Sequence, residues 1–541
     1  MKKTLTVGFV SLLALTIACD LSYFEDAEFS DSSFDPSIAV VFGELTYTVS
    51  DLFEQLNSES ADIEANQEGV VTLGFQEELQ SQSAADFLTI SDLNFQGSLP
   101  GGVTINNPVG GPTVTVPVTQ SFEFNLSQQG GEALDSVDFS AGNFGFTVQS
   151  DFNTTINYTA TFKSLAENGT PLTVTGTLNP ASNSNTVNVN LSTYVGLFNK
   201  DANGNAASNK FLLDVSYDVV IAPGSGVTST DEITFNGQIQ NSDFETVYGQ
   251  FGTKQLEVGL DNIDFGIFDQ FGGDGNITFN DPQFTFVFNN SFGFPLGIDF
   301  QSLSVLTSDG QTINLEGDII NQLNVVEAPT VANRGTTTTT EITLNKDNSN
   351  IAELLSAKPE TLIINVSASS NPAGAPAQYN FIGNTGELGI GVNVEIPLDI
   401  TIDGLTVTET VPFSPPEDID QAKGLLLRLI SENELPLSGI VGIEFLDDQG
   451  AVVYSLDAQT AFDAAELGND GRTAQPAAAV ADFRLDESAV QSIQNSSQIN
   501  LVVRLSTTGA TQGVNVKLFE DYELVFKVAG QLDLNISSND N

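Results

Sequence analysis

Apolar residues recur at every second position along much of this chain. Val114, Val116 and Val118 alternate with threonine and proline, and Phe122, Phe124 and Leu126 continue the run. The same period appears at Phe144, Phe146 and Val148, at Ile156, Tyr158, Ala160 and Phe162, and at Leu213, Val215, Tyr217, Val219 and Ile221. A strand alternates its side chains between two faces, so each run predicts a strand with one apolar and one polar side. Strands of that kind pack in antiparallel sheets laid face to face. Asn168-Gly169, Asn203-Gly204 and Asp309-Gly310 lie between runs and supply the residues that tight hairpin turns favour. Helical spacing is brief: Asp51–Leu56 with Glu54, Asn350–Ala357 with Glu353, and Asp486–Gln494, each behind a capping residue. The pattern predicts an all-β protein of antiparallel β-sandwich domains in tandem, with a few short helices.

Two longer stretches share one order. Phe284–Phe300 (FTFVFNNSFGFPLGIDF) and Leu425–Phe445 (LLLRLISENELPLSGIVGIEF) each run from an apolar strand through a polar turn and an apolar-Pro-apolar triplet to a second apolar strand. A proline has no amide proton for a ladder, so Pro295 and Pro436 belong at an edge or where a strand begins. The run NSFGFPLGI resembles the strand-turn-strand unit of the late-embryogenesis-abundant type 2 β-sandwich, in which an asparagine precedes such a triplet. The threonine-rich, apolar-poor stretch 327–350 predicts a boundary between a β-sandwich region over 38–328 and a second over 340–541.

The chain opens differently. Lys2 and Lys3, a short apolar stretch over Leu5–Ile17 and the small Ala18 read as an export signal over residues 1–18, cleaved after Ala18. The stretch falls well short of the ~20 residues that span a bilayer as a helix. Cys19 follows at once and is the only cysteine, so no disulfide can form within the chain. Leu15-Thr16-Ile17-Ala18-Cys19 resembles the signal of bacterial lipoproteins, which implies that Cys19 becomes an acylated N-terminus. Several acyl chains, at ~0.8 kcal/mol per buried methylene, hold a protein on a membrane almost permanently. Asp20, Glu25, Asp26, Glu28 and Asp31 then make residues 19–37 an acidic tether. That tether resembles the export tag of surface lipoproteins, whereas Asp20 beside the cysteine is the inner-membrane retention residue of the enteric sorting rule. The expectation is the outer membrane, with the body exposed at the cell surface. VYGQFGTKQLEV, NSFGFPLG, DNSNIAELLSAKP and ENELPL, in this order, resemble uncharacterised bacterial envelope lipoproteins. That likeness implies an exported β-rich architecture and transfers no functional residues.

Charge and missing residue types narrow the chemistry. Seventy acidic residues stand against 16 basic ones, for a net charge of −54. Such a surface repels phosphate backbones, so no nucleic acid is expected as a partner. A 40% hydrophobic content with 38 phenylalanines sets the chain apart from disordered acidic tails. There is no histidine, which removes Ser-His-Asp and Cys-His catalysis and imidazole zinc sites. Asp201, Asn203 and Asn205 alternate as calcium ligands do, but the glycine of this loop is misplaced and no carboxylate closes it. Asp274, Asp447 and Asp448 sit in similar Gly-containing stretches, and all of them read as turns. No metal site and no cofactor are expected.

The reading that results is non-enzymatic: a lipid-anchored interaction or structural module, held to the membrane through Cys19. Two others stay open. Phe-bearing strand faces could line a cavity for apolar, lipid-like ligands, or two of the many carboxylates could act as a glycosidase pair.

Overall fold

The computed structural model describes residues 37–56, 62–78, 81–128, 130–265, 274–307, 310–317, 319–320, 322–372, 380–415 and 422–534. Alternating burial along the strands, such as buried Phe211, Leu213, Val215, Tyr217, Val219 and Ile221, gives each sheet one face for a core. The chain is all-β, and among the described residues its large sheets pair into three sandwiches.

In the first sandwich, Leu93–Pro100, Glu232–Gln250, Ala133–Ser150 and Ser184–Asn190 lie side by side in one layer. Thr170–Leu178, Thr155–Glu167, Lys210–Ile221 and Val114–Asn125 form the other. Tyr194–Leu197 pairs with a strand of each layer, so one hydrogen-bonded sheet folds over upon itself. Register shifts around Asp243 and Phe244 bend the paired strands where the sheet turns the corner. Phenylalanine fills the interior. The Phe95 ring lies 4.9 Å from Phe124 and 5.0 Å from Phe211, and Phe162 meets Phe144 and Phe146 edge-on at 4.7 and 4.8 Å. The Tyr217 hydroxyl donates to the Leu99 carbonyl across the layers at 3.0 Å, and burial pushes its pKa up to about 12.

Several aromatic rings of this core lie across a glycine. Phe95 pairs with Gly237 and Phe235 with Gly97, directly opposite in the same two strands. A Cβ on Gly237 would overlap the Phe95 ring, and one on Gly97 the Phe235 ring. Tyr158 covers Gly176 in the same way, and in the third sandwich, described below, Phe462 covers Gly439. Glycine weakens a strand by leaving nothing to pack, and a ring laid over it restores the lost contact.

The second sandwich sets Asp62–Ala65, Val71–Glu78, Glu387–Pro397, Gln283–Asn290 and Thr338–Leu344 against Gln255–Asp264, Pro359–Ser370, Leu296–Thr307 and Thr312–Asn314. Phe286 meets Phe300 across it at 4.8 Å. The third sets Ser37–Thr48, Glu523–Leu534, Ala422–Asn433 and Ala477–Asp486 against Asn276–Phe279, Asp399–Pro412, Gln498–Thr507, Leu437–Leu446 and Val452–Phe462. These units are nested with one crossing: the first sandwich interrupts the chain of the second, and the second that of the third, but Asn276–Phe279, between two strands of the second, pairs in the third. The threonine-rich segment expected as a boundary itself supplies Thr338–Leu344, which pairs with Gln283–Asn290. Pairing therefore runs across the expected division between 328 and 340. Strand Glu387–Pro397 continues through Leu398 into Asp399–Pro412 and so ties the second sandwich to the third. There Leu398 donates to Val71, Leu518 to Leu398 and Val71 to Leu518, each backbone to backbone at 2.8–3.0 Å.

The two matching stretches cross between layers and do not form hairpins within one sheet. Gln283–Asn290 pairs with Thr338–Leu344 and Glu387–Pro397, whereas Leu296–Thr307 pairs in the facing layer with Pro359–Ser370. Ala422–Asn433 and Leu437–Leu446 divide likewise. Pro295 and Pro436 immediately precede the second strand of each arch. A fully buried asparagine holds each corner. Asn290 donates to the Phe294 and Glu327 carbonyls at 3.1 and 3.0 Å and accepts from the Phe292 amide at 2.9 Å. Asn433 donates to Leu435, Leu437 and Asp463 at 3.1, 2.7 and 2.7 Å and accepts from Leu435 at 2.9 Å.

The short helices form close to where they are expected. The first spans Val49–Leu56, and its cap is Thr48 rather than Asp51. The Thr48 amide donates to the Asp51 carboxylate at 2.9 Å and the Asp51 amide to the Thr48 hydroxyl at 3.2 Å, a reciprocal pair that fixes the start. The second and third span Ile351–Ser356 and Glu487–Ile493. A fourth, Ala84–Phe87, starts at a Ser83–Asp86 box too brief to show as helical spacing.

On the outer face of the third sandwich, Arg428 grips Asp482 on the neighbouring strand with two bonds of 2.7 and 2.8 Å, and Arg484 adds one of 3.1 Å. The Arg428 hydrogen bonds hold the Asp482 carboxyl below the usual range. A depressed carboxyl adds stability above its unfolded pKa and loses it as the pH falls through the folded one. Asp482→Asn should therefore cost up to about 1 kcal/mol at neutral pH. In urea melts, that difference from the parent should vanish as acid protonates Asp482.

Candidate functional site

Cys19 and Ala18, the residues expected for lipidation and signal cleavage, lie outside the described residues, as do the signal peptide and nearly all of the acidic tether. The described strand nearest to them, Ser37–Thr48, pairs along its length with Glu523–Leu534.

The calcium-like loops use their oxygens internally. One Asp201 oxygen accepts the amides of Asn203 and Asn205 at 2.9 and 2.8 Å, and the other accepts the Asn205 side chain at 2.9 Å. The Asn205 side chain is the leading cause of the lowered pKa of Asp201. Asp447 accepts the amides of Gln449 and Ala451 at 2.9 and 2.8 Å, and Asn66 those of Glu68 and Val70 at 2.9 and 3.1 Å. In each loop a left-handed glycine follows (Gly204, Gly450, Gly69), so the three share one turn design. Among the described residues no cluster of acidic side chains is arranged to hold a metal ion.

Carboxylates near the junction of the first two sandwiches differ from the rest. The Lys254 ammonium bonds the buried Glu132 carboxylate and the Phe87 carbonyl, and sits 4.8 Å over the Phe87 ring. Phe87 in turn stacks on Phe294 at 4.7 Å. That constellation pins two sandwiches together and engages the Glu132 carboxylate in an ion pair. Burial, and then the Glu245 charge, push the Asp138 carboxyl above its ordinary value, with Arg334 opposing.

The Phe-bearing faces are interlocked cores and not groove walls: Phe144, Phe146, Phe162, Phe211, Phe284, Phe286 and Phe288 are all fully buried. What opens to solvent is the other side of the same sheet. Across the outer face of the first sandwich, Ser98, Thr234, Gln149 and Ser184 stand in register. Gln96, Asn236, Thr147 and Thr186 make the next row, then Asn94, Gln238, Gly145 and Asn188, then Gln240, Asn143 and Asn190. These rows contain no charged residue and no large apolar one. Thr147 and Thr186 share a hydroxyl bond of 3.0 Å. Side-chain-free Gly145 lowers the floor, and an open depression of about 590 Å³ lies over the two middle rows. Acidic residues begin only past the ends, at Asp92 on one side and Asp151 and Glu232 on the other.

The opposite outer face of this sandwich has ordinary charge. Lys163 pairs with Asp214 at 2.6 Å and Lys210 with Glu123 at 2.7 Å. Neutrality is thus a property of one face and not of the unit. The signal for it lies in LNFQGSLP, GNFGFTVQ, SNTVNVN and ITFNGQIQ, whose polar alternates are all amide, hydroxyl or glycine. Reading each strand for its apolar face passes over that regularity.

No known protein family matches the chain, and no curated protein is significantly similar to it. Among solved structures, a candidate secreted protein of Parabacteroides distasonis is 15% identical over 53% of this chain and 88% of its own, with a TM-score of 0.30. The infectious bursal disease virus Gt strain is 11% identical over 85% and 81%, and the Macrobrachium rosenbergii nodavirus 8% over 57% and 96%, each with a TM-score of 0.15. Similarities this slight carry no argument about fold or function. Among the described residues no helix is long and apolar enough to cross a membrane.

Proposed function

We propose that this chain is an exported, lipid-anchored, non-enzymatic protein of the outer membrane. In this reading it displays the first sandwich at the cell surface as a binding module. The observation that carries it is the charge-free outer face of that sandwich, standing in a chain with 70 acidic residues. A solvated face with no binding duty would take up charge as its opposite face does. The absence of histidine, the turn-bound Asp201 and Asp447, and the ion-paired Glu132 support a binding role over catalysis. Closed phenylalanine cores speak against a carrier of apolar ligands.

The anchor has its own test. Mass spectrometry of the mature polypeptide should find Cys19 at the N-terminus carrying acyl chains, and Cys19→Ser should move the protein from the membrane to the soluble fraction. Protease added to intact cells should digest the body. A free thiol at Cys19, or a body protected until the outer membrane is broken, would remove the anchored or the surface-exposed part of this reading.

A further inference from the structure

Resting on that binding role, we infer that the neutral outer face of the first sandwich takes an uncharged, hydroxyl-rich chain, a neutral polysaccharide. Chemistry narrows the occupant. Protein interfaces depend on aromatic and arginine anchors at a desolvated centre, and the rows over Gln96, Asn236 and Thr147 present neither. Nucleic acid and anionic lipid would face a strongly negative molecule with no basic residue at the site. An apolar ligand would find no apolar wall there. A sugar hydroxyl both donates and accepts a hydrogen bond, and so does each Asn and Gln carboxamide, while Ser and Thr do so through one oxygen.

Dimensions agree with a chain-like ligand. Four strands about 4.8 Å apart, carrying rows spaced by two residues, give a platform about 14 Å wide and about 20 Å long. The depression over Gly145 gives a ring or a branching hydroxymethyl group somewhere to sit. The acidic residues past both ends repel uronic-acid and sulfated chains, so selectivity against anionic polysaccharides comes from the flanks. Contacts of this kind are individually weak, and many proteins displayed on one membrane would hold a polymer through avidity.

The test uses the mature full chain in detergent micelles, run through gels containing either a neutral β-glucan or polygalacturonate. The neutral polymer should retard the protein and the anionic one should not. Thr147→Glu, which puts a carboxylate in the middle of the face, and the pair Asn236→Ala with Gln238→Ala should each weaken retardation about tenfold or more. Thr175→Glu, on the opposite outer face, should leave it unchanged, and equal melting temperatures would show that all the variants fold. Failure of a panel of neutral polysaccharides to retard the protein, or equal retardation of the Thr147→Glu variant, overturns the proposal. Attachment of the protein to whole cells separates the two readings. If Thr147→Glu abolishes attachment while no polysaccharide is retained, the face binds something else and the glycan is wrong. If Thr147→Glu changes neither, the binding role of the face falls as well.

Discussion

Replacing Asn433 by alanine should cost on the order of 3–5 kcal/mol, among the largest losses open to a single polar side chain in this protein. The residue is fully buried at the arch where the chain passes between layers of the third sandwich. Its amide serves the Leu435, Leu437 and Asp463 carbonyls, and its oxygen takes the Leu435 amide. Alanine withdraws these bonds from the Leu435 amide and from the Leu437 and Asp463 carbonyls, while the Leu435 carbonyl keeps the Ala465 amide at 3.0 Å, and each group left unsatisfied costs about 1–3 kcal/mol. Asn433→Asp sharpens the test. It retains an acceptor for Leu435 but points a carboxylate at three carbonyl oxygens. Burial and those dipoles raise the folded pKa above the unfolded one, so the native state holds the proton more tightly. The penalty should then grow as the pH rises from about 4 towards 7. Urea melts at the two ends of that range should show the aspartate variant approaching the parent only in acid. A pH-independent loss would mean that the arch relaxes and admits water.

Gly237→Ala should destabilise the first sandwich by about 1–3 kcal/mol, although it adds one methyl group in a strand. That methyl would overlap the Phe95 ring, which is held in turn by Phe124 and Phe211. Phe95→Ala alone removes the ring and should cost about 3–5 kcal/mol. The double variant should cost clearly less than the sum, because the alanine at 237 then occupies space the ring has left. A double-mutant cycle in denaturant measures the difference, expected between about 0.5 and 3 kcal/mol. Strict additivity would show that the ring and the glycine are not coupled.

Much of this fold was legible as strands and little of it as pairing. Period two identifies Leu213 to Ile221 as one face of a strand, since burial of alternate residues follows directly from backbone geometry. It carries no information about which strand lies alongside. Thr48 pairs with Glu523 and Phe279 with Ile400, and nothing local to either residue announces the other. Composition marked 327–350 as a break for the same reason: threonine alternation on a half-exposed strand resembles a linker until its partner is known. The arches were visible as a repeated order around Pro295 and Pro436, but an arch and a hairpin share that order. Asn290 and Asn433 were in plain view, and only burial shows that they hold the corners. For the candidate surface, the residues could be read but their assembly could not, because four separated segments contribute one strand each.

Nesting the three sandwiches has a consequence for the order in which this polypeptide folds as it is made. Strand Ser37–Thr48, the first described element to be synthesised, finds its partner only when Glu523–Leu534 has been made. Until then the outermost unit holds an open seam, and the units inside it close earlier. Pairing of these two strands is therefore a late step, and it seals the outermost unit. A product truncated before residue 523 would keep a raw edge along Ser37–Thr48, which proteases could recognise and clear.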